Sequence, residues 1–303
     1  MSEKRHTYEY DIDIDSDTAP ARVLSMVKPG SKVLEIGAGP GSITRVLVGA
    51  KQCEVVALEV EETALEKLRR ICSAVYPSDL NVAGWSAEIE RNHGKFDYVI
   101  AADVLEHVYN PWAVLGEMKG LLNETGSVIL SLPHAGHCAV LACLVDEDLE
   151  YRDWGLLDRT HIRFFGIKNV TALYESQGMA IEEAQFVVRT PAMTEFTRRW
   201  DRLPADVQQA LRRNRFADVY QVVSRAVPAA RAGTRVDLME QPVPPAAPGV
   251  VSYWTTTMQG IPLDPASDLR TTIADWTAPA PARRKRFRGL RRLYAKVFMQ
   301  GGR

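Results

Sequence analysis

Val33-Leu34-Glu35-Ile36-Gly37-Ala38-Gly39-Pro40-Gly41 is the stretch that decides the fold. A short apolar run passes directly into a glycine-rich turn, and Ser42–Gly49 behind it has helical spacing. Glycine is needed there because the backbone must turn tightly and approach a ligand with no Cβ in the way. The nicotinamide fingerprint would place its third glycine at position 42, which is Ser42, and the Gly-Lys-Ser/Thr of a phosphate-binding loop is absent. Glu59 ends the next apolar run, where a carboxylate can accept hydrogen bonds from both hydroxyls of a ribose.

Outward from this turn, short β-branched runs alternate with helical patterns, the mark of a parallel sheet covered on both faces. The spacing predicts strands at Lys32–Ile36, Glu54–Glu59, Leu80–Ala83, Phe96–Ala101 and Ser127–Ser131, and helices around Ser42–Gly49, Glu62–Tyr76 and Asn110–Leu122. After an irregular, aromatic- and charge-rich segment from His134 to Phe165, a helix at Lys168–Gln177 stops at Gly178. Two more strands fit Ala180–Arg189 and Asp218–Arg225, with a long helical insert from Thr194 to Asn214 between them. The expected architecture is a doubly wound, seven-stranded, mostly parallel α/β sheet whose final strand inserts antiparallel next to the fifth. This domain spans residues 1–227; residues 228–282 form a Pro/Ala-rich linker and residues 283–303 a basic tail.

The spacing Glu35-x-Gly37-x-Gly39-x-Gly41 resembles motif I of the class I S-adenosylmethionine-dependent methyltransferases, a fold of this Rossmann-like kind. The resemblance implies that Glu35, Gly37, Ala38, Gly39 and Gly41 take the methionine side of the cofactor and Glu59 its ribose. After the third strand that family commonly carries an acid near the adenine amine; here the run is Ala83-Gly84-Trp85-Ser86-Ala87-Glu88. Two readings stand: Trp85 stacks on the adenine with backbone near Ser86 reading its edge, or Trp85 is core and Ala87–Glu88 read it.

Ligands in open parallel sheets bind outside the carboxyl ends of the strands. Asp103-Val104-Leu105-Glu106-His107-Val108 follows the fourth strand at once, so Asp103, Glu106 and His107 stand at the cleft mouth. A turn of helix would set Asp103 and His107 on one face. The run resembles that of methyltransferases acting on hydroxyl groups, including quinone-biosynthesis O-methyltransferases and RNA 2'-O-methyltransferases, some of which hold a divalent cation with two acids, this His and a later one. The later His here is His161, within Asp158-Arg159-Thr160-His161-Ile162-Arg163-Phe164-Phe165. An alcohol or phenol is a poor nucleophile until its proton leaves, so His107 or His161 is the expected base, with Asp103 and Glu106 orienting it or holding a metal. His134 and His137 are candidates for the acceptor pocket or plain loop residues, and Trp154 with Phe164–Phe165 offers stacking surface at the mouth.

Three segments, Tyr8–Asp17, Asp103–Val108 and Leu156–Phe165, together look like bacterial methyltransferases found beside glycosyltransferases of surface polysaccharide assembly. That likeness implies a saccharide acceptor; a phenolic or quinone-like small molecule is the alternative, and a non-catalytic cofactor-binding partner the third reading.

Charge and hydropathy set the remaining bounds. The formal net charge is -1, from 37 Lys and Arg against 38 Asp and Glu. Nine of those bases follow Asp275 with no acid among them, so the rest of the chain holds an excess of about ten acids. As a helix, residues 283–303 would carry Phe287, Leu290, Leu293, Tyr294, Val297 and Phe298 on one face and most bases on the other, which suits peripheral contact with an anionic membrane more than nucleic acid. No apolar run approaches the roughly 18 residues of a membrane span, and the opening Met1–His6 has no apolar signal core. The 4 cysteines match no zinc or redox spacing and read as reduced thiols. Together these features predict a cytoplasmic protein.

Overall fold

The computed structural model describes residues 9–246. In chain order its elements are α1 (Ala19–Ser25), β1 (Lys32–Ile36), α2 (Ser42–Gly49), β2 (Glu54–Leu58), α3 (Glu62–Leu68), β3 (Ala74–Tyr76), α4 (Ser86–His93), β4 (Phe96–Ala102), α5 (Pro111–Gly120), β5 (Leu122–Pro133), α6 (Cys138–Val145), α7 (Ile167–Ser176), β6 (Met179–Val188), α8 (Thr197–Arg202), α9 (Ala205–Leu211) and β7 (Val219–Pro228). The seven strands form one sheet in the order β3-β2-β1-β4-β5-β7-β6. β3 to β5 run parallel through the centre, and β7 is antiparallel to both β5 and β6. The antiparallel insertion of the last strand beside the fifth is therefore as the sequence predicts.

Strand periodicity explains why both faces are covered. Successive side chains alternate between faces: Leu34, Ile36, Val56, Val99 and Ala101 join one apolar cluster with Val114, Met118 and Leu173, whereas Val33, Val55, Ile100 and Ile129 join another with Val23, Leu24, Leu47 and Ala139. A strand buried on both sides reads as an unbroken apolar run, which is what made β1 and β4 visible.

Four expectations are corrected. The helix expected over 62–76 stops at Leu68, and Ala74–Tyr76 is instead β3, pairing Val56 with Ala74 and Leu58 with Tyr76. The β-branched and aromatic pair Val75-Tyr76 suits a pleated edge better than a last helical turn. Leu80–Ala83, expected as the third strand, is a turn closed by Val82 N–H donating to Asp79 O at 3.0 Å. The insert is two short helices, α8 and α9, because Pro204 cannot continue a helix. Within the stretch expected to be irregular, His137 Nδ1 accepts from Ala139 N at 3.1 Å and caps α6.

Packing also continues past Val227. Leu238 is fully buried against the main cluster, Val236 N–H donates to Ile181 O at 2.8 Å, and Gln241 Nε2 donates to Ala184 O at 3.2 Å. These contacts shield β6, an edge strand whose backbone would otherwise present unpaired groups. The rest of the Pro/Ala-rich stretch and the whole basic tail lie outside the described residues. Among the described residues no helix is long and apolar enough to cross a membrane.

Candidate active site

The glycine loop turns by leaving the right-handed region three times, with φ of +63° at Gly37, +53° at Gly39 and +86° at Gly41. A Cβ on Gly37 would stand 2.6 Å from Val104 Cγ2, so the close approach of loop and β4 exit requires glycine as much as the dihedral does. Glu59, one residue past β2, fastens the loop: Oε2 accepts from Gly39 N at 2.7 Å, and Oε1 accepts from Val60 N at 2.7 Å and Glu61 N at 3.0 Å. Glu35, at the floor, is buried and accepts from Thr44 Oγ1 at 2.6 Å. Burial, with the Glu59 charge adding to it, pushes its carboxyl up to about 8 despite the Thr44 bond.

Loop, Glu59, the β4 exit and the segment around Leu156–His161 enclose one cleft of about 480 Å³. Its ionisable lining is Glu35, Glu59, Glu61, Asp103, Glu106, Asp158, His107 and His161, with Tyr10 and Tyr220. Among the described residues no lysine or arginine lines it.

Asp103 has φ +54°, left-handed in a non-glycine residue. Its carboxylate turns to β5 and β7: Ser131 Oγ donates at 2.7 Å, and Gln221 Nε2 donates at 2.9 and 2.8 Å to the two oxygens. Burial raises its pKa, with these bonds opposing. A 3-10 turn, Leu105–His107, replaces the expected helical turn, so Asp103 does not orient His107.

His107 is oriented instead by the later segment. Its Nδ1 lies 3.0 Å from Thr160 Oγ1 and 3.2 Å from Thr160 O. Thr160 Oγ1 donates to Asp158 Oδ1 at 2.6 Å, so the proton between Thr160 and His107 sits on Nδ1, and Nε2 keeps its lone pair. His161 is set the same way, with Nδ1 3.3 Å from Leu156 O. The two rings meet edge to face, centroids 4.7 Å apart. Burial and the neighbouring His107 hold the His161 pKa down at about 4. Glu106 is fully buried with neither carboxyl oxygen hydrogen-bonded, and its Oε1 is 3.9 Å from His161 Nε2. Desolvation first, then the Asp103 and Asp158 charges, push its pKa well above the usual carboxylate range.

Glu106, His107 and His161 each offer a ligand atom within 4.8 Å of the others, a donor set that suits a divalent cation; Asp103, expected in that set, is outside it. The other such grouping among the described residues, His137, Cys138 and Asp218, is structural: His137 Nε2 donates to Arg189 O at 2.7 Å while Nδ1 caps α6. His134, whose Nδ1 bonds Val219 O at 2.9 Å, is also buried, and neither of these histidines lines the cleft.

Trp85 and Ser86 do not line the cleft either. Trp85 packs in the core beside Ile89, and Ser86 starts α4 with its N and Oγ on Glu117 Oε2 at 3.1 and 2.8 Å. With β3 at 74–76, the acid that follows the third strand is Asp79, which is exposed and accepts from Asn81 N at 2.9 Å. Trp154 and Phe165 are buried, and the exposed aromatics flanking the two histidine segments are Tyr109 (69% exposed), Trp112 (43%) and Phe164 (49%), none of which lines the cleft itself. Arg163 joins two of them, its Nε donating to Tyr109 O at 3.1 Å and its guanidinium 5.9 Å from the Trp112 ring centroid. Gln221 and Tyr220 were missed from sequence; the one signal was a glutamine set among the apolar residues that open β7, Val219-Tyr220-Gln221-Val222-Val223.

A family model described as a methyltransferase domain matches residues 12–184, more than half of the chain. The ubiquinone biosynthesis O-methyltransferase of Xanthomonas campestris pv. campestris is 28% identical over 131 residues, covering 39% of this chain and 54% of the relative. The enzyme of the same name from Glaesserella parasuis serovar 5 is 30% identical over 110 residues, covering 34% and 45%. The chain thus spans about half the length of these curated relatives. Among solved structures, magnesium protoporphyrin IX methyltransferase from Synechocystis PCC 6803 with bound SAM is similar at 16% identity and a TM-score of 0.42, over 70% of this chain and 76% of that one.

Proposed function

The chain belongs to the methyltransferase-domain family and is an S-adenosylmethionine-dependent methyltransferase, and from that premise we propose that it methylates a hydroxyl oxygen. The observation that carries the reading is the meeting, in one cleft, of a glycine loop fastened by Glu59 with two histidines whose Nδ1 protons are fixed and whose Nε2 atoms make no hydrogen bond among the described residues. S-adenosylmethionine brings a methyl group already activated on a sulfonium. The loop from Glu35 to Gly41 takes its methionine end and Glu59 the ribose diol.

What remains for the protein is to align the acceptor oxygen and receive its proton. His107 is the base: the Asp158–Thr160 pair holds its tautomer, and Nε2 takes the proton. Asp103, kept by Gln221 and Ser131, faces the cofactor half. A divalent cation held by Glu106, His107 and His161 would instead lower the hydroxyl pKa directly, and the hydrogen-bond-free carboxyl of Glu106 is the specific observation favouring that second route.

A cleft lined by Glu59, Glu61, Asp103 and Asp158, with no lysine or arginine among the described residues, disfavours anionic acceptors. Two uncharged classes fit: a saccharide hydroxyl of a surface polysaccharide or glycolipid, stacked on Tyr109, Trp112 or Phe164, and a phenol or quinol, the class suggested by the names of the relatives. Peripheral attachment to an anionic leaflet through residues 283–303 would bring the enzyme to lipid-linked acceptors of either class.

Calorimetric titration with S-adenosylhomocysteine tests the cofactor half. Glu59→Ala removes charged hydrogen bonds of about 1.5–3 kcal/mol each, so affinity falls at least about tenfold; equal affinity would refute the assignment. Transfer of labelled methyl to neutral oligosaccharides and to catechols, with and without divalent cations, then separates the acceptor classes. A chain that binds the cofactor and transfers to neither, with His107→Ala indistinguishable, would be the non-catalytic partner instead.

A further inference from the structure

Glu195 lies in the insert between β6 and β7, 34 residues beyond His161 in sequence, yet it reaches the segment that carries that histidine. Its Oε1 accepts from Leu156 N at 2.7 Å. On the same residue, Leu156 O holds His161 Nδ1 at 3.3 Å. Tyr220, a cleft-lining residue of β7, donates its hydroxyl to Glu195 Oε2 at 3.1 Å and Oε1 at 3.3 Å. Gly155 has φ +88°, and a Cβ there would overlap Glu195 Oε1, so the turn before Leu156 is shaped to admit this carboxylate. The next residue, Phe196, is fully buried and lies under the Arg152 guanidinium at 5.5 Å, which fixes the insert against the start of the same segment.

We propose that Glu195 is a positioning residue of the active site: it fixes the Leu156 peptide, and through Leu156 O it sets the His161 tautomer that turns Nε2 towards Glu106. The insert is therefore a brace for the histidine-bearing segment, and one carboxylate ties together insert, β7 and that segment. The tautomer argument stands on hydrogen bonds alone; its consequence for methyl transfer rests on the function proposed above.

The test uses the full chain and needs no acceptor. Side-chain 15N shifts of the histidines, assigned with His161→Gln and read near neutral pH, report which His161 nitrogen carries the proton. The intact protein should give one Nδ1–H tautomer. Glu195→Ala should give a mixture and speed exchange of the Leu156 amide about tenfold, the factor expected for loss of one charged hydrogen bond. Glu195→Gln, which keeps an oxygen for Leu156 N–H, should restore the single tautomer. Gly155→Ala, which displaces the carboxylate without deleting it, should reproduce the mixture and serves if Glu195→Ala does not fold. A single tautomer and unchanged Leu156 exchange in both Glu195→Ala and Gly155→Ala would overturn the proposal, as would a Gln variant no different from Ala. Binding of S-adenosylhomocysteine should stay within about twofold in both Glu195 variants, since Glu195 does not line the cleft and Glu59 and the glycine loop are untouched. Failure of the intact protein to bind it would refute the cofactor reading and leave the tautomer result standing.

Discussion

Gly37→Ala separates the two reasons for glycine at the head of the loop. At φ +63° an alanine carries the left-handed cost of about 1–2 kcal/mol. Its Cβ would also meet Val104 Cγ2 at 2.6 Å, well inside contact distance, and overpacking of this kind costs about 1–3 kcal/mol. The sum, about 2–5 kcal/mol, is a large share of the ~5–15 kcal/mol that holds a domain folded. Urea unfolding reads the total. Adding Val104→Ala removes the clash and leaves the dihedral, so the double variant should recover about 1–3 kcal/mol relative to the sum of the single costs. Part of the strain can be relieved in the cofactor-free protein by moving the loop off β4, and that displacement must be reversed on binding. S-adenosylhomocysteine affinity should therefore fall by up to about 30-fold, equivalent to about 2 kcal/mol. A wild-type urea midpoint in Gly37→Ala would refute both arguments, and strictly additive single and double variants would refute the clash.

Three further outcomes follow from other parts of the molecule. Glu35 is held at about 8 against an ordinary 4.5, so between those values the folded chain keeps a proton that the unfolded chain has released, and stability falls as pH rises through that window and levels above it. Glu35→Gln keeps an acceptor for Thr44 and should flatten the slope; urea midpoints at about pH 5, 7 and 9 check it, and parallel slopes would refute it. Leu238→Ala should cost about 2–5 kcal/mol in the same assay, because the side chain is fully buried; a negligible cost would show that the fold does end near Val227. Thr160→Val breaks the link from Asp158 to His107 and should lower methyl transfer by about tenfold or more while S-adenosylhomocysteine binding is kept; an unchanged rate would move the base elsewhere.

What could be read from sequence was local. The β1 run and its glycines announce themselves because one short stretch holds strand, turn and helix start together. His107 and His161 share a cleft because each sits in a short segment with its own polar signature. β3 escaped notice: a strand of three residues at a sheet edge has no periodicity to detect, while Leu80–Ala83 imitates one. That single slip carried the adenine assignment to the run Trp85–Glu88 and away from the residues that directly follow β3. Gln221 reaches Asp103 across 118 positions, and Glu195 reaches Leu156 across 39, separations at which no spacing rule operates. Leu238 lay in a stretch whose prolines suggested a linker, although one leucine and the edge of β6 were enough to fold it back.

The acid-walled cleft gives the proposed reaction a constancy of charge. Methyl transfer from a sulfonium to a hydroxyl leaves a neutral thioether and a neutral ether, and the positive charge passes to the proton. If His107 Nε2 receives that proton, the cation has only changed address, from sulfur to imidazole, within the same cleft lined by Glu59, Glu61, Asp103 and Asp158. The wall that steadies the reactant steadies the product state too, and the cleft is discharged only when the imidazole gives its proton to water. Turnover would then be timed by deprotonation as well as by transfer, and a slower exchange of that proton in heavy water would lengthen the cycle after the new bond has formed.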